Sequence, residues 1–201
     1  MLELRLHGRG GQGTVVAAKV LADALCSEGK FVQAFPEYGV ERRGAPVKAF
    51  LRIGDEVVYE RSKIYEPDHI VLLDPSLIGF IELTKGLKKG GWIIVNSSKN
   101  PEELQLDKKF KIATVPARGI AIKYHLGSAS TPIVNTAILG GVIKILKLCS
   151  LESLLDAIRE GVPRKKEENV KAAEKQTKKQ EKSLKDFNRL SGDELLDLFN
   201  S

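Results

Sequence analysis

Cysteine is scarce: 201 residues contain only Cys26 and Cys149. An iron–sulfur cluster is usually held by four thiolates, so this chain alone does not supply the ligands for one. The two cysteines also lack the paired spacing of a structural zinc site. Each lies in an apolar, helix-patterned stretch, which implies buried, reduced thiols. Long hydrophobic runs are missing as well. No segment approaches the roughly 18 apolar residues that a membrane span requires. Met1-Leu2-Glu3-Leu4-Arg5 reads as a strand and not as a secretory signal. These absences together imply a cytoplasmic protein without a membrane partner. The three histidines, His7, His69 and His125, are scattered singly, so core or surface roles outweigh ligation. No nucleophile elbow and no metal-ligand cluster is visible.

Charge is present but unevenly placed. The formal net charge is +6, yet residues 164–185 hold nine Lys/Arg against four Glu, which leaves the remainder close to balance. A basic chain invites a nucleic-acid reading. Here the excess sits in one segment without interleaved aromatic residues, which argues against such a partner. Large apolar residues are nearly absent from that segment, so it reads as a solvated helix or a flexible arm. The chain divides on this basis into a domain over 1–163 and a basic tail over 164–201. Residues 191–199, Ser-Gly-Asp-Glu-Leu-Leu-Asp-Leu-Phe, form a short amphipathic stretch able to dock somewhere.

The body of the chain alternates strand and helix patterns. Residues 2–7 alternate apolar and polar, and 14–28 carry helical periodicity up to Gly29, placed as a C-cap. Residues 31–35 form a second strand. This β–loop–α–β unit implies a parallel pair with a right-handed crossover. Residues 47–53 and 56–60 flank Gly54-Asp55 and read as a hairpin. Further strands are expected at 69–73, 92–95 and 111–115. Helices are expected at 77–87, 119–126, 132–148 and 151–160, the third opened by Thr131 as N-cap and Pro132 at the first helical position. The fold class is therefore α/β: three layers, a largely parallel or mixed sheet, a Rossmann-like start and a charged helical tail.

Gly8-Arg9-Gly10-Gly11-Gln12-Gly13 is the segment richest in chemistry. Its G-x-G-x-x-G spacing follows a strand and opens a helix, the context in which such a loop binds a pyrophosphate. Glycine lets the backbone turn tightly and approach a ligand, and Arg9 offers a bidentate phosphate contact. The same loop also reads as a tight turn without a ligand. Glu37, just after the second strand, stands where a ribose-binding acid would stand for NAD. Arg42 and Arg43 in the same loop suit an extra phosphate, as on coenzyme A or NADP, although a solvated loop or a subunit contact fits them equally. Asp74, Asn96, Ser97, Ser98 and Arg118 fall in loops at the carboxyl ends of strands, where open α/β sheets bind ligands. None of these forms a diagnostic catalytic pair, and Asp74 reads foremost as a helix cap. No catalytic residue is assigned.

The glycine run, followed by Phe35-Pro36-Glu37-Tyr38-Gly39-Val40-Glu41-Arg42-Arg43-Gly44-Ala45-Pro46, resembles the gamma subunit of 2-oxoacid:ferredoxin oxidoreductases, the pyruvate synthase type. The resemblance extends over about residues 1–165, taking in Asp74 and the Thr131-Pro132…Asn135 helix start. It implies a non-autonomous subunit working with alpha, beta and delta-type subunits, and with ferredoxin or flavodoxin through the complex. The complex converts a 2-oxoacid, coenzyme A and oxidised ferredoxin to acyl-CoA, carbon dioxide and reduced ferredoxin. Thiamine diphosphate with its magnesium, and the iron–sulfur clusters, are then expected on partner subunits. By the same resemblance Gly8 to Gly13 face coenzyme A, and the loop from Glu37 to Gly44 lies near that ligand or a partner. A stand-alone NAD(P)-dependent oxidoreductase, carried by the glycine loop, is the alternative.

Overall fold

A computed structural model describes residues 1–37, 44–60 and 62–187. Six strands form one mixed sheet in the order β2-β3-β1-β4-β5-β6. They are β1 (Leu2–Arg9), β2 (Phe31–Pro36), β3 (Pro46–Gly54), β4 (His69–Leu72), β5 (Trp92–Val95) and β6 (Lys111–Thr114). The helices are α1 (Thr14–Ser27), α2 (Ala117–Lys123), α3 (Asn135–Leu146), α4 (Leu151–Gly161) and α5 (Lys166–Phe187).

Strands β1, β4, β5 and β6 run parallel, and β3 is antiparallel to both β1 and β2. The expected β1–β2 pair is therefore not formed. β2 runs in the direction of β1 but one strand away, because β3 takes the hydrogen-bonding edge of β1, with Leu4 opposite Leu51 and Leu6 opposite Ala49. β3 thus finds its antiparallel partner upstream, in β2. Residues 56–60, expected to be that partner, form no strand.

Period-two alternation divides the side chains between the faces. Leu4, Leu6, Leu51, Val71, Ile94 and Val115 join the core beneath the helices. Ile70, Leu72, Ile93 and Val95 face the other way and are covered by Leu77, Leu83, Leu87 and Phe110. That second covering is a chain of turns and not the helix expected over 77–87. Only Pro75–Leu77 is helical, as a 3₁₀ turn. Gly79 and Gly86 have positive φ, a conformation incompatible with a continuing right-handed helix.

The basic segment is a helix over its described length, with one face exposed and the other packed. α5 lies along α3 with Val170, Ala172, Ala173, Gln176 and Thr177 buried. The backbones approach closely at Gly140, where a Cβ would strike the Ala173 carbonyl oxygen. Thr177 Oγ1 donates toward the carbonyls of Gly140, at 3.1 Å, and Ala173, at 2.9 Å. Thr136 donates to Asn169 Oδ1 at 2.7 Å. Small and polar residues build this interface, which is why a search for large apolar side chains passes over it. The cysteines also differ from expectation: Cys26 is exposed in the last turn of α1 and Cys149 is half-buried. Burial pushes the Cys149 thiol up to about 12.

Candidate functional site: the glycine loop and its facing wall

β1 ends in the glycine loop, and α1 follows it directly. Gly13 caps the helix with φ 81°, and no side chain bonds the first-turn amides. No acidic residue occupies that turn either. The N-terminal end of α1 thus keeps its partial positive charge and its capacity to meet an anion.

The loop is braced from within. Gln12 folds back so that its Oε1 accepts from the Arg9 amide at 2.8 Å, while its Nε2 donates to Asp74 Oδ2 at 2.7 Å. Gly10 donates to the Ala45 carbonyl at 2.8 Å and accepts from the Gly44 amide at 3.1 Å. Asp74 also accepts from the Ser76 amide at 3.0 Å, so it caps the 3₁₀ turn as its position suggests. Burial works against the Asp74 carboxylate. Hydrogen bonds from Ser76 and Gln12 and the charge of Arg9 outweigh it and hold its pKa below the ordinary range.

Arg9 is engaged and not poised as an open clamp. Its guanidinium donates to Ser76 Oγ at 3.1 and 2.9 Å and to the Gly44 carbonyl at 3.0 Å. It pairs with Asp74 at 3.3 Å and lies 5.7 Å from the ring centre of Phe80. A phosphate meeting Arg9 therefore meets a guanidinium whose orientation is already set.

A cavity of about 450 Å³ opens between this loop and residues 127–133. Arg9, Gly10, Gly11, Gln12, Gly44 and Asp74 form one wall; Arg118, Ser128, Ser130 and Thr131 stand on the other. The second wall is an ordered turn. Gly127 bridges Pro132, and Ser128 Oγ lies 2.7 Å from Thr131 Oγ1 and 3.0 Å from Ser130 Oγ. Thr131 is consequently not the helix cap. α3 begins three residues after Pro132, at Asn135, with Val134 as its uncapped N-cap residue. The run Gly-Ser-Ala-Ser-Thr-Pro, with its hydroxyl groups held between Gly127 and Pro132, is the sequence signal for this wall, and strand and helix patterning passes over it.

The remaining candidates divide as follows. Gly8 lies in β1, where a Cβ would strike Thr14 Oγ1. Glu37 is not in the cavity wall; it pairs with Lys48 and Lys63, each at 2.9 Å. The Lys63 hydrogen bond, helped by Lys48 and opposed by burial, holds its carboxyl below the usual range. Arg42 and Arg43 lie outside the described residues. Ser97 and Ser98 do not line the cavity, whereas Asn96 accepts from the Arg118 amide at 3.1 Å and so fixes the start of α2.

His7 and His69 use their rings structurally, whereas exposed His125 is engaged through its backbone. His7 Nε2 accepts from Arg5 at 3.0 Å, His69 Nδ1 accepts from the Trp92 amide at 3.1 Å, and the His125 carbonyl accepts from Lys165 at 2.5 Å. Among the described residues no group of His, Cys, Asp or Glu is arranged to hold a metal, and no helix is long and apolar enough to cross a membrane. Tyr59 and Lys63 have the Tyr-x-x-x-Lys spacing of a hydride-transfer pair. Tyr59 is 85% exposed, however, and neither residue lines the cavity.

The model of the pyruvate ferredoxin/flavodoxin oxidoreductase family matches residues 3–178. The chain is 54% identical over 178 residues to the pyruvate/ketoisovalerate oxidoreductases common subunit gamma of Thermococcus kodakarensis, a match spanning 87% of this chain and 94% of that protein. The crystal structure of pyruvate oxidoreductase subunit PORC from Thermotoga maritima superposes with a TM-score of 0.73 at 34% identity, over 88% of this chain and 95% of that one. The 2-oxoglutarate:ferredoxin oxidoreductase of Magnetococcus marinus, solved with 2-oxoglutarate, coenzyme A and succinyl-CoA bound, shares the fold. Its TM-score is 0.71 at 18% identity, over 90% of this chain and 31% of that longer one.

Proposed function

From the premise that the chain belongs to the pyruvate ferredoxin/flavodoxin oxidoreductase family, as a gamma subunit of the complex, we propose that its own share of the reaction is to hold coenzyme A. The observation that carries this reading is the cavity between the glycine loop, which leads into the uncapped end of α1, and the hydroxyl-lined turn at 127–133. Phosphate oxygens are satisfied by helix-terminal amides, by Ser and Thr hydroxyls and by guanidinium groups. The cavity is lined by Gly10, Gly11 and Gln12 of the loop that leads into α1, by Ser128, Ser130 and Thr131, and by Arg9 and Arg118. Gly44 also lines the cavity, and Arg42 and Arg43, which precede it in the sequence, are the candidates for a further phosphate. Coenzyme A is bound in the Magnetococcus marinus enzyme, part of whose chain has this fold.

The chemistry follows from division of labour. In the overall reaction the bond to the 2-oxoacid carboxylate breaks, a thioester forms with coenzyme A, and two electrons leave to ferredoxin or flavodoxin. Thiamine diphosphate with magnesium and the iron–sulfur clusters would supply the decarboxylation and electron transfer from the alpha, beta and delta-type partners. This chain's residues fix the nucleotide end of coenzyme A so that its thiol presents to a neighbouring subunit. Positioning of that kind converts an encounter into a near-unimolecular step and needs no catalytic side chain here. Pyruvate is the default 2-oxoacid. A nicotinamide nucleotide is the weaker occupant, because Glu37, the residue for its ribose, is held by Lys48 and Lys63 outside the cavity.

Thr131→Glu, assembled with its partner subunits, tests the reading. The added carboxylate would repel phosphate, so the KM for coenzyme A should rise while the KM for the 2-oxoacid stays put. An unchanged KM for coenzyme A would remove this cavity from the reaction.

A further inference from the structure

A second cavity, of about 480 Å³, lies at the far end of the sheet from the glycine loop. It sits where β5 and β6 begin, beside the edge strand. Its apolar lining includes Trp92, Leu104, Leu106, Phe110 and Ile112, and Lys108, Lys109 and Lys111 rim it. Lys109 lies 5.0 Å from the ring centre of Phe110, and Lys111 lies 5.7 Å from that of Trp92. Glu102 also lines the groove and Asp107 pairs with Lys109 at 2.7 Å, which leaves an excess of positive charge suited to a ligand that is apolar in the middle and acidic around it. Nothing in the reaction outlined above uses it.

We propose that the occupant is this chain's own segment 191–199, Ser-Gly-Asp-Glu-Leu-Leu-Asp-Leu-Phe. Three arguments converge on it. The first is complementarity. Asp193, Glu194 and Asp197 oppose the three lysines, while Leu195, Leu196, Leu198 and Phe199 match the apolar walls. In a chain of net charge +6, this acidic stretch stands apart.

The second is direction. α3 starts beside the glycine loop, where Asn135 lies against Gly13. α5 tracks α3 in the same sense, through Thr136 with Asn169, Gly140 with Thr177 and Lys144 with Glu181. α5 therefore delivers the chain to the end of the sheet that holds the groove. The third is length. Residues 188–192 can span roughly 16–18 Å when extended, at about 3.3–3.6 Å per residue, and this is the stretch available to round the β6 edge from the face that α5 covers to the face that Phe110 covers. The segment lies past residue 178, where the match to the family model ends, whereas the groove lies within the matched span.

Trp92 is the chain's single tryptophan and lines the groove, so its fluorescence reports occupancy directly. In the full chain, acrylamide quenching of Trp92 should be weak. A chain ending at Phe187 should show a red-shifted emission and stronger quenching. A synthetic peptide of residues 191–201 should reverse both, less well at high salt because the contact is partly ionic. The double charge reversal Lys109→Glu with Lys111→Glu in the full-length chain tests the same contact without truncation. It should expose Trp92, and adding Asp193→Lys with Glu194→Lys should restore protection. Identical emission and quenching in the full and shortened chains would overturn the proposal. So would protection of Trp92 that appears only when partner subunits are added, since the groove would then belong to a partner.

Discussion

Asn135, at the head of α3, lies against Gly13, at the head of α1, so closely that a Cβ on Gly13 would come within 2.5 Å of the Asn135 amide nitrogen. The two helix starts therefore interlock through a residue that has no side chain.

Gly13→Ala should be costly for two separable reasons. Its φ of 81° is unfavourable for any residue with a Cβ, and the methyl group would push Asn135 away. The first effect alone costs about 1–2 kcal/mol. The loss should appear as a lower urea midpoint with an unchanged slope. A variant as stable as the parent would show that Asn135 moves aside freely and that the two helix starts are not coupled.

A glycine in a helix need not behave this way. Gly140→Ala gains up to about 1 kcal/mol of helix propensity, but its methyl would strike the Ala173 carbonyl and crowd Thr177. A backbone carbonyl cannot rotate out of the way, so overpacking at about 1–3 kcal/mol should win. Gly119, in α2, is open: a methyl group there would meet nothing within 4 Å, so Gly119→Ala should stabilise by up to about 1 kcal/mol. Equal shifts in thermal midpoint for the two variants would contradict the close α3–α5 contact.

These glycines mark what is legible in sequence and what is not. The loop at Gly8 to Gly13 reads directly, because its glycines serve the backbone and a strand and a helix flank them. Asp74 is legible as a cap, since an Asp before Pro75 has few other uses, but its second role, anchoring Gln12 and Arg9, depends on tertiary proximity. The position of β2 is not legible: alternation shows which face a residue takes, never which strand lies beside it. The wall at 127–133 is obscured because Thr131-Pro132 matches a helix start, while its hydroxyls bond one another. α5 hides its packing because its buried face, apart from Val170, is made of Ala, Thr, Asn and Gln.

His7 should make stability pH-dependent. It is buried, accepts from Arg5, and has no partner for Nδ1. Burial, then the charges of Arg5 and Lys48, lower its pKa to about 3. The unfolded chain takes up this proton near pH 6.5 and the folded chain does not. The contribution to stability is therefore full above about pH 6.5 and is lost progressively as pH falls toward 3. His7→Gln keeps an acceptor for Arg5 and removes the titration. Between pH 7 and pH 5 its urea midpoint should fall less than that of the parent; parallel falls would show that His7 is not held neutral.

Hydrogen exchange on the assembled oxidoreductase, with and without coenzyme A, tests the central claim most directly. If coenzyme A occupies the cavity between the glycine loop and the hydroxyl turn, peptides covering residues 8–16 and 126–133 of this subunit should exchange more slowly in its presence. The strands at the lysine-rimmed end should be unaffected. Protection confined to partner subunits, with those two segments unchanged, would contradict the account.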